Sequence, residues 1–329
     1  MIYVFGHNYP YTDLDSVVSS VAFAYLLEAT GRPARAVLLN PNALKSDVIG
    51  VLGKLEGFVL PLLVTKSELM AGELALVDHN EPRQSYGFLG ISKIPLYCID
   101  HRTDSGLTAV EKQIEIVGAT STLVAERIKK AGVKLTPILA KALVYAISSD
   151  TRGLKIKTNQ RDLVVIAYLY STYAIDVPLL IVQQQTVTAQ DVTSMSVEKI
   201  LASNLKEYQE GRIAVAMLDV ANDEDYAERL DEILQRARKD QCYGLYVLMI
   251  NHLHRDATTV YYIDNYFGCF PEQENYDCLI SRSHDLIPAI LRKIDSVSPC
   301  IKGSVCRLEN CEQINLNETM TAYEEEGKG

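Results

Sequence analysis

Four short polar clusters, each at or beside an apolar run, contain the residues of this chain that could do chemistry. They are Gly6-His7 with Asp13-Leu14-Asp15-Ser16, Asp78-His79-Asn80, Asp100-His101-Arg102, and Asp150. Each is predicted to lie at the carboxyl end of a buried strand or at an adjoining helix end, where α/β folds build their sites. A single aspartate there usually forms a turn or caps a helix. Four clusters at one sheet edge instead indicate a two-metal centre, in which shared carboxylates hold two divalent ions.

The composition favours a globular enzyme over a nucleic-acid-binding or membrane protein. The 329 residues are 48% apolar, which is enough for one large or two medium cores. With a net charge of −10, the chain lacks the basic surface that displaces counterions from nucleic acids. No apolar run approaches the length of about eighteen residues that a membrane span needs, and no basic leader precedes the first apolar run. We therefore expect no nucleic-acid partner, no membrane span and no signal peptide.

The cysteines indicate a reducing compartment. They number seven, an odd count, and are scattered along the chain, which suits a cytoplasmic protein better than a disulfide framework. Cys300, Cys306 and Cys311 cluster near the C-terminus, but neither a CxxC spacing nor a neighbouring histidine accompanies them. We therefore do not expect a zinc site there.

The apolar pattern of the first half predicts a parallel α/β domain. Strands are expected at 2–5, 74–77 and 96–99, and the last two are continuous apolar runs, typical of a sheet covered on both faces. A helix is expected to start with Asp15 or Ser16 as its N-cap, and further helices at 119–131, 137–149 and 161–173. Asp150 then ends a helix, where the dipole disfavours a carboxylate. A positive group is therefore expected opposite it.

The second half repeats an αβ pattern after a change of character. Residues 176–190 are predicted to be a linker or edge strand, because they contain Pro178, a glutamine run and alternating Thr and Val. Beyond them we expect helices at 196–209, 223–239 and 284–294 and strands at 212–217, 243–250 and 258–263. These elements predict a domain at 1–185, a smaller α/β cap domain at 190–298, an active site in the cleft between them, and a flexible polar tail at 299–329.

The ordered set of motifs resembles the DHH phosphoesterase superfamily. Within it, the chain is most similar to manganese-dependent (family II) inorganic pyrophosphatases and to their exopolyphosphatase and prune-like relatives. The similarity covers about residues 1–295 and is carried by Gly6-His7, Asp13-Leu14-Asp15-Ser16, Leu76-Val77-Asp78-His79-Asn80-Glu81, Ile99-Asp100-His101-Arg102, Val117-Gly118-Ala119-Thr120-Ser121-Thr122, Ser149-Asp150-Thr151, Asn204-Leu205-Lys206-Glu207-Tyr208 and Ser281-Arg282.

The resemblance implies a set of metal ligands. One ion would be held by His7, Asp13 and Asp78, and the other by Asp15, Asp78, His101 and Asp150, with Asp78 shared. Oxygen ligands with a few imidazoles suit Mn²⁺, the preferred ion, with Co²⁺ or Mg²⁺ as alternatives. His79 is expected either to support the neighbouring ligand Asp78 or to be a packed loop histidine.

The resemblance also implies a reaction and a substrate site. The expected activity is hydrolysis of a phosphoanhydride, first of all pyrophosphate to two phosphates, by a hydroxide that bridges the metals. The partner would be a small polyanion, and a homodimer is one open option for the assembly. Lys206 and Arg282 would bring positive charge from the second domain, and the residues assigned to catalysis or substrate binding are Asp78, His101, Arg102, Lys206, Arg282 and His284.

Three departures from typical pyrophosphatases keep other functions open. Two additional residues separate His7 from Asp13, Arg102 replaces a second histidine, and Ser283 and His284 replace lysines. An exopolyphosphatase acting on short polyphosphate and a weakly active, prune-like regulatory protein therefore remain alternatives. A phosphoesterase for oligonucleotides or cyclic dinucleotides is disfavoured because the chain has no Gly-Gly pair. A pseudoenzyme usually loses a metal ligand, whereas all six positions are filled here.

Overall fold

The chain divides into two compact units, each built on its own β-sheet. The computed structural model describes residues 1–8, 11–40, 43–44, 46–187, 189–209, 211–239 and 243–297. One unit comprises Met1–Thr188 and the other begins at Ala189. The predicted tail at 299–329, with its three cysteines, lies outside the described residues.

The first unit contains six parallel strands, which confirms the predicted parallel-sheet α/β fold. Their order in the sheet is β3-β2-β1-β4-β5-β6, and β2, β3 and β6 were not predicted from the sequence. The strands are β1 (Ile2–Phe5), β2 (Ala34–Leu38), β3 (Leu62–Leu63), β4 (Glu73–Val77), β5 (Tyr97–Asp100) and β6 (Glu111–Ile114).

Helices and loops cover both faces of this sheet. Ile2 and Val4 of β1 pack into the larger core, whereas Tyr3 and Phe5 pack into a second core on the opposite face. Because both faces are buried at the centre of the sheet, β1, β4 and β5 are mainly apolar along their length. The helices of the unit are α1 (Leu14–Ala29), α2 (Ser46–Leu52), α3 (Lys66–Ala71), α4 (Thr120–Lys130), α5 (Pro137–Asp150), α6 (Gln160–Thr172) and α7 (Leu179–Thr186).

The strand order reverses between β1 and β4, and the polar clusters follow the strands at this point. Chain order runs from β1 towards β3 on one side and from β4 towards β6 on the other. His7 follows β1, Asp78 follows β4, and His101 follows β5. Because β1, β4 and β5 are neighbouring parallel strands, these residues emerge at one edge, at the kind of switch point where α/β folds bind ligands.

Two local predictions in the first unit are wrong. The N-cap of α1 is Asp13, whose Oδ1 accepts a hydrogen bond from the Ser16 amide at 2.9 Å, so the helix starts before Asp15. The stretch predicted as a linker or edge strand contains α7 instead. Val182 of α7 is completely buried in the main core, and this packing overrides the weak local signal.

The second unit is a smaller α/β unit, as predicted, and its sheet is mixed. The order is β11-β10-β9-β8-β7, in which only β8 and β9 pair in parallel among the described strands. Its strands are β7 (Lys206–Tyr208), β8 (Ile213–Val220), β9 (Leu245–His252), β10 (Ala257–Asp264) and β11 (Gln273–Tyr276), and its helices are α8 (Val197–Leu201), α9 (Glu224–Ala227), α10 (Leu230–Lys239) and α11 (Ile287–Val297).

The helix predicted at 196–209 is mostly wrong. Only α8 is helical, because Asn204 adopts a left-handed backbone (φ 47°) and the chain then pairs with β8 as β7. The predicted helix at 223–239 is divided into α9 and α10, and the last helix starts later than predicted, after a π-helical turn over Arg282–Leu286.

Among the described residues, no helix combines the length and apolar character that crossing a bilayer requires.

Gly6, directly after β1, lies so close to Ser16 of α1 that the effect of a larger residue on stability can be predicted. A Cβ on Gly6 would lie 2.8 Å from the Cα and backbone oxygen of Ser16, whereas a Cβ on Gly50 would meet no atom within 4 Å. Gly6→Ala should therefore lower the free energy of unfolding by about 1–3 kcal/mol through overpacking. Gly50→Ala, in helix α2, should raise it by roughly 0.5–1 kcal/mol. Urea unfolding of both variants checks this, and equal effects of the two would contradict the proposed close packing.

Candidate metal centre

The centre of the cluster is Asp78, which is completely buried directly after β4. Its backbone is left-handed (φ 59°), and its amide donates to the Ile99 carbonyl at 2.9 Å. A non-glycine residue in this region costs free energy, although aspartate tolerates it better than most residues. Such a conformation persists only where its surroundings hold it, and it is typical of functional sites.

Two hydroxyl groups and two imidazoles surround the Asp78 carboxylate. Ser16 Oγ donates to Oδ2 at 2.6 Å, and Thr120 Oγ1 donates to Oδ1 at 3.1 Å. His7 Nε2 lies 3.5 Å from Oδ2, and His101 Nε2 lies 3.3 Å from Oδ1. Each carboxylate oxygen thus faces a different histidine, which is the arrangement expected of a ligand shared by two ions.

The first candidate ligand group contains His7, Asp13 and Asp78. One possible donor atom from each of these residues lies within 4.8 Å of the others. His7 Nε2 is 3.0 Å from Asp13 Oδ2, and His7 Nδ1 is 2.7 Å from the Tyr11 carbonyl. Because a carbonyl oxygen only accepts hydrogen bonds, Nδ1 must donate, and Nε2 is oriented towards the carboxylates.

The second candidate group contains Asp15, Asp78 and His101, again within 4.8 Å of one another. His101 Nδ1 lies 3.2 Å from the Val117 carbonyl, so its Nε2 is also directed at the cluster. Asp150 adjoins this group, because its Oδ2 is 3.3 Å from His101 Nε2. All six residues that were predicted as ligands are therefore brought to one place.

Asp15 has a structural contact that explains the wrong cap prediction. Its two oxygens accept hydrogen bonds from the amides of Thr120 at 2.7 Å and Ser121 at 2.9 Å. They cap α4, whose own N-cap residue, Ala119, offers no side-chain acceptor. Asp15 therefore caps a distant helix rather than the helix that contains it.

The surrounding charges lower the pKa of two carboxylates of the cluster and raise the pKa of a third. Burial raises the pKa of Asp78, but Arg102, His101 and His7 outweigh it and hold that pKa well below its usual range. Burial likewise raises the pKa of Asp13, and the adjacent His7 lowers it to about 2. By contrast, burial and the neighbouring Asp78 and Asp150 raise the pKa of Asp15 well above its usual range. The protein's own cations thus stabilise negative charge unevenly, most strongly at Asp78.

The donor atoms fit a divalent ion of the manganese or magnesium type. The two groups offer carboxylate oxygens and imidazole nitrogens and contain no thiolate. Such donors suit Mn²⁺, Mg²⁺ or Co²⁺ rather than a soft metal that prefers sulfur. Each histidine is also hydrogen-bonded through its other nitrogen to a backbone carbonyl, as metal-binding histidines usually are.

Two cationic side chains reach into the acidic cluster. Arg102 contacts both oxygens of Asp78, at 3.2 Å from Nη1 to Oδ1 and 3.4 Å from Nη2 to Oδ2, and it also donates to the Asp78 carbonyl. Lys157 Nζ lies 2.7 Å from Asp150 Oδ2. The positive group expected opposite Asp150 is therefore confirmed, and it is a lysine that the sequence analysis did not identify.

The neighbouring polar residues have a structural role. His79 is buried, with Nδ1 2.9 Å from the Val77 carbonyl and Nε2 2.6 Å from Ser85 Oγ, and burial lowers its pKa to about 3. These contacts favour the packed-loop interpretation of His79. Asp100 accepts a hydrogen bond from Asn80 Nδ2 at 2.5 Å, which ties the loops after β4 and β5 together.

The predicted substrate residues of the second unit lie near one another within that unit. Lys206 pairs with Val215 across β7 and β8. Arg282 donates to the carbonyl of Asn204, two residues before Lys206, and to the carbonyl of Val215, which pairs with Lys206. His284 Nδ1 lies 3.3 Å from Ser281 Oγ. Binding of substrate by Lys206, Arg282 and His284 remains a prediction.

Sequence reasoning missed three side chains at the centre, namely Ser16, Thr120 and Lys157. Ser16 and Thr120 lie inside motifs that were noted for other residues, so their position was a usable signal. Lys157 lies seven residues beyond Asp150 in a loop, and nothing in the local sequence distinguishes it from a surface lysine.

Comparisons with known proteins identify relatives of this chain. Residues 1–147 match the family described as DHH family, N-terminal domain. A Lactobacillus acidophilus protein named "Probable manganese-dependent inorganic pyrophosphatase" is 26% identical over 311 residues, which cover 90% of this chain and 96% of the relative. A Deinococcus radiodurans protein of the same name is 36% identical over 167 residues, covering 49% of this chain and 50% of the relative.

A solved structure shows that the likeness extends to the fold. A Methanococcus jannaschii protein, provisionally assigned to the family II inorganic pyrophosphatases, superposes with a TM-score of 0.71 at 24% identity, covering 90% of this chain and 100% of the other. The resemblance predicted from the motifs is confirmed by these matches: residues 1–147 match the N-terminal domain of the DHH family, and the chain is similar along most of its length to a protein named as a manganese-dependent inorganic pyrophosphatase.

Proposed function

We propose that this chain is a divalent-metal-dependent hydrolase that converts inorganic pyrophosphate to two phosphates. The main observation behind the proposal is that one buried carboxylate, Asp78, belongs to both candidate ligand groups. A shared carboxylate is what holds two ions close enough to act on one phosphoryl group. The names of relatives that align with 90% of the chain support both this activity and Mn²⁺ as the preferred ion.

His7, Asp13 and Asp78 would hold one ion, and Asp15, Asp78, His101 and Asp150 the other. Divalent ions held there would supply Lewis acidity, which lowers the pKa of bound water and offsets charge on phosphoryl oxygens. Ser16 and Thr120 fix the Asp78 carboxylate through their hydroxyl groups. The carbonyls of Tyr11 and Val117 fix the two imidazoles. These contacts orient the ligands before substrate binds.

Substrate binding is assigned to cations from both units. Arg102 offers several N–H donors at the centre but keeps its proton at neutral pH, so we assign it to phosphate binding rather than proton transfer. Lys206, Arg282 and His284, all in the second unit, are proposed to bind the remaining phosphate.

Short polyphosphate is the second candidate substrate. The segment after Arg282 provides Ser283 and His284, a hydroxyl and an imidazole, where the resembling family has lysines. Fewer positive charges weaken a clamp for the compact charge of pyrophosphate and favour a longer chain that spreads its charge. A cytoplasmic location and a homodimer remain predictions from the sequence.

The shared role of Asp78 predicts the metal content of a variant. Asp78→Asn keeps the side-chain shape and suits the left-handed backbone, but it removes the charge that both ions need. Wild type should contain two Mn²⁺ per chain and Asp78→Asn almost none, by elemental analysis after gel filtration. Asp104→Asn, which alters a half-exposed carboxylate in the loop after β5, should keep both ions. Wild-type metal content in Asp78→Asn would disprove the shared-ligand assignment.

The proposed substrate clamp predicts a loss of rate. Lys206→Ala should slow phosphate release about a hundredfold, which corresponds to about 3 kcal/mol of transition-state stabilisation. Metal content should be unchanged, because Lys206 is not a ligand. Phosphate release is measured from pyrophosphate, tripolyphosphate and long polyphosphate, each with Mn²⁺ and with Mg²⁺. Lys199→Ala, an exposed lysine of α8 in the same unit, is the matched control and should keep wild-type rates.

The outcomes of this assay separate the candidate functions. If pyrophosphate is hydrolysed fastest, the first proposal stands, and if tripolyphosphate or longer chains are faster, the chain is an exopolyphosphatase. Wild-type rates in Lys206→Ala on every substrate would show that the clamp is wrongly assigned. If wild type releases no phosphate from any substrate with either metal, the regulatory alternative replaces hydrolysis.

A further inference from the structure

The loop after α5 brings an ammonium group onto a candidate metal ligand. Lys157 Nζ lies 2.7 Å from Asp150 Oδ2, and the Lys157 side chain is only 11% exposed. The loop has an unusual backbone, because Arg152, Leu154 and Lys157 all have positive φ values. Such conformations are disfavoured for these residues and persist only where the surrounding structure maintains them.

Several hydrogen bonds maintain the loop in this conformation. The Gly153 amide donates to the Ser148 carbonyl at 2.7 Å, and Gln183 Nε2 of α7 donates to the Gly153 carbonyl at 2.8 Å. The amides of Lys155 and Ile156 both donate to the Thr151 carbonyl. The loop therefore folds back onto the end of α5, and the contact between Lys157 and Asp150 is part of an ordered structure rather than a chance surface pair.

The Lys157 ammonium group contacts Asp150 Oδ2, the oxygen that faces the second candidate ligand group of Asp15, Asp78 and His101. Asp150 Oδ2 is 3.3 Å from His101 Nε2, which is itself 3.3 Å from Asp78 Oδ1. Ion–ligand distances of about 2.1 Å place neighbouring ligands of one ion about 3 Å apart, so these three atoms are spaced to share an ion. Lys157 contacts Asp150 Oδ2, the atom through which Asp150 would bind that ion.

We propose that Lys157 is a tethered cation that competes with the second divalent ion for Asp150 and so weakens that metal site relative to the first. The inference rests on the metal centre of the proposed function. A carboxylate oxygen has room for both partners, but an ammonium and a divalent ion a few ångströms apart repel each other strongly in a buried site. The hydrogen bond from Lys157 could also help metal binding by orienting the Asp150 carboxylate, but the net contribution of one hydrogen bond is smaller than this repulsion. Removing the ammonium should therefore strengthen metal binding.

The competition by Lys157 affects only the second metal site. Lys157 contacts Asp150, which adjoins the group of Asp15, Asp78 and His101, whereas His7 and Asp13 belong to the other group. Arg102 contacts Asp78, which both groups share, and so acts on both. The first ion is thus expected to bind at a lower metal concentration than the second. Assembly of the two-ion centre then depends on the metal supply.

The experiment compares Mn²⁺ binding to the metal-free chain of 329 residues and to three variants of it. Lys157→Met removes the charge, Lys157→Gln removes it but keeps a hydrogen-bond donor for Asp150, and Lys155→Met removes an equal charge from an exposed neighbour in the same loop. Calorimetric titration gives the two affinities. Electron paramagnetic resonance of Mn²⁺ shows when the isolated-ion signal is replaced by that of a coupled pair, and it needs no substrate.

Wild type should bind one ion more tightly than the other. Lys157→Met and Lys157→Gln should tighten the weaker site at least tenfold, leave the tighter site unchanged, and give the coupled-pair signal at lower Mn²⁺ concentration. Lys155→Met should match wild type. If Lys157→Met is poorly folded, Lys157→Gln alone decides the question.

The failures are distinguishable. If wild type binds two ions and both Lys157 variants bind the second ion no more tightly than wild type, the inference is overturned and the proposed function is untouched. The inference is also overturned if Lys155→Met tightens binding equally, because the effect would then be one of overall charge. If wild type binds no Mn²⁺ at all, the proposed function itself fails, and this inference fails with it.

Discussion

The carboxylate of Asp78 is a completely buried negative charge, and the rest of the site is arranged around the need to stabilise it. An isolated buried charge is so unfavourable that it persists only with several polar partners. Those partners come from separate segments: Ser16 from α1, Thr120 from α4, and His7 and Arg102 from the loops after β1 and β5. The strand order of the first sheet is what allows them to meet, because it places the carboxyl ends of β1, β4 and β5 side by side.

The fold and the chemistry of the site are linked through backbone groups as much as through side chains. Buried Asp162 accepts a hydrogen bond from the Gly118 amide at 2.9 Å, and the preceding carbonyl, of Val117, orients His101. No side chain fits at Gly118, because a Cβ there would lie 2.6 Å from Asp162 Oδ2. Asp162, a residue of α6, thus helps to hold the backbone that orients a candidate ligand, the imidazole of His101. This is the kind of supporting contact that tunes metal sites in general.

The charge balance of the centre bears on how an acidic protein would bind the proposed polyanionic substrate. The chain carries a net charge of −10, so a phosphate substrate would be attracted only by local positive charge. Arg102 and Lys157 supply some of it, but both contact carboxylates of the cluster in the structure described here. Divalent ions would add positive charge to the acidic cluster, and the cluster would then attract phosphate instead of repelling it. Metal binding and substrate binding are therefore expected to be coupled electrostatically.

The sequence alone determined the parallel α/β fold of the first unit and, through the resemblance of its motifs, the six residues, Asp78 among them, that lie together at the candidate centre. Continuous apolar runs identify buried strands, and the polar residues after parallel strands share one edge. The sequence did not determine which helix Asp15 caps, because its partners Thr120 and Ser121 lie about a hundred residues away. Nor did it reveal α7 or the contact of Lys157 with Asp150. These features depend on packing and on electrostatic contacts between distant segments, which local periodicity does not record and only the tertiary structure decides.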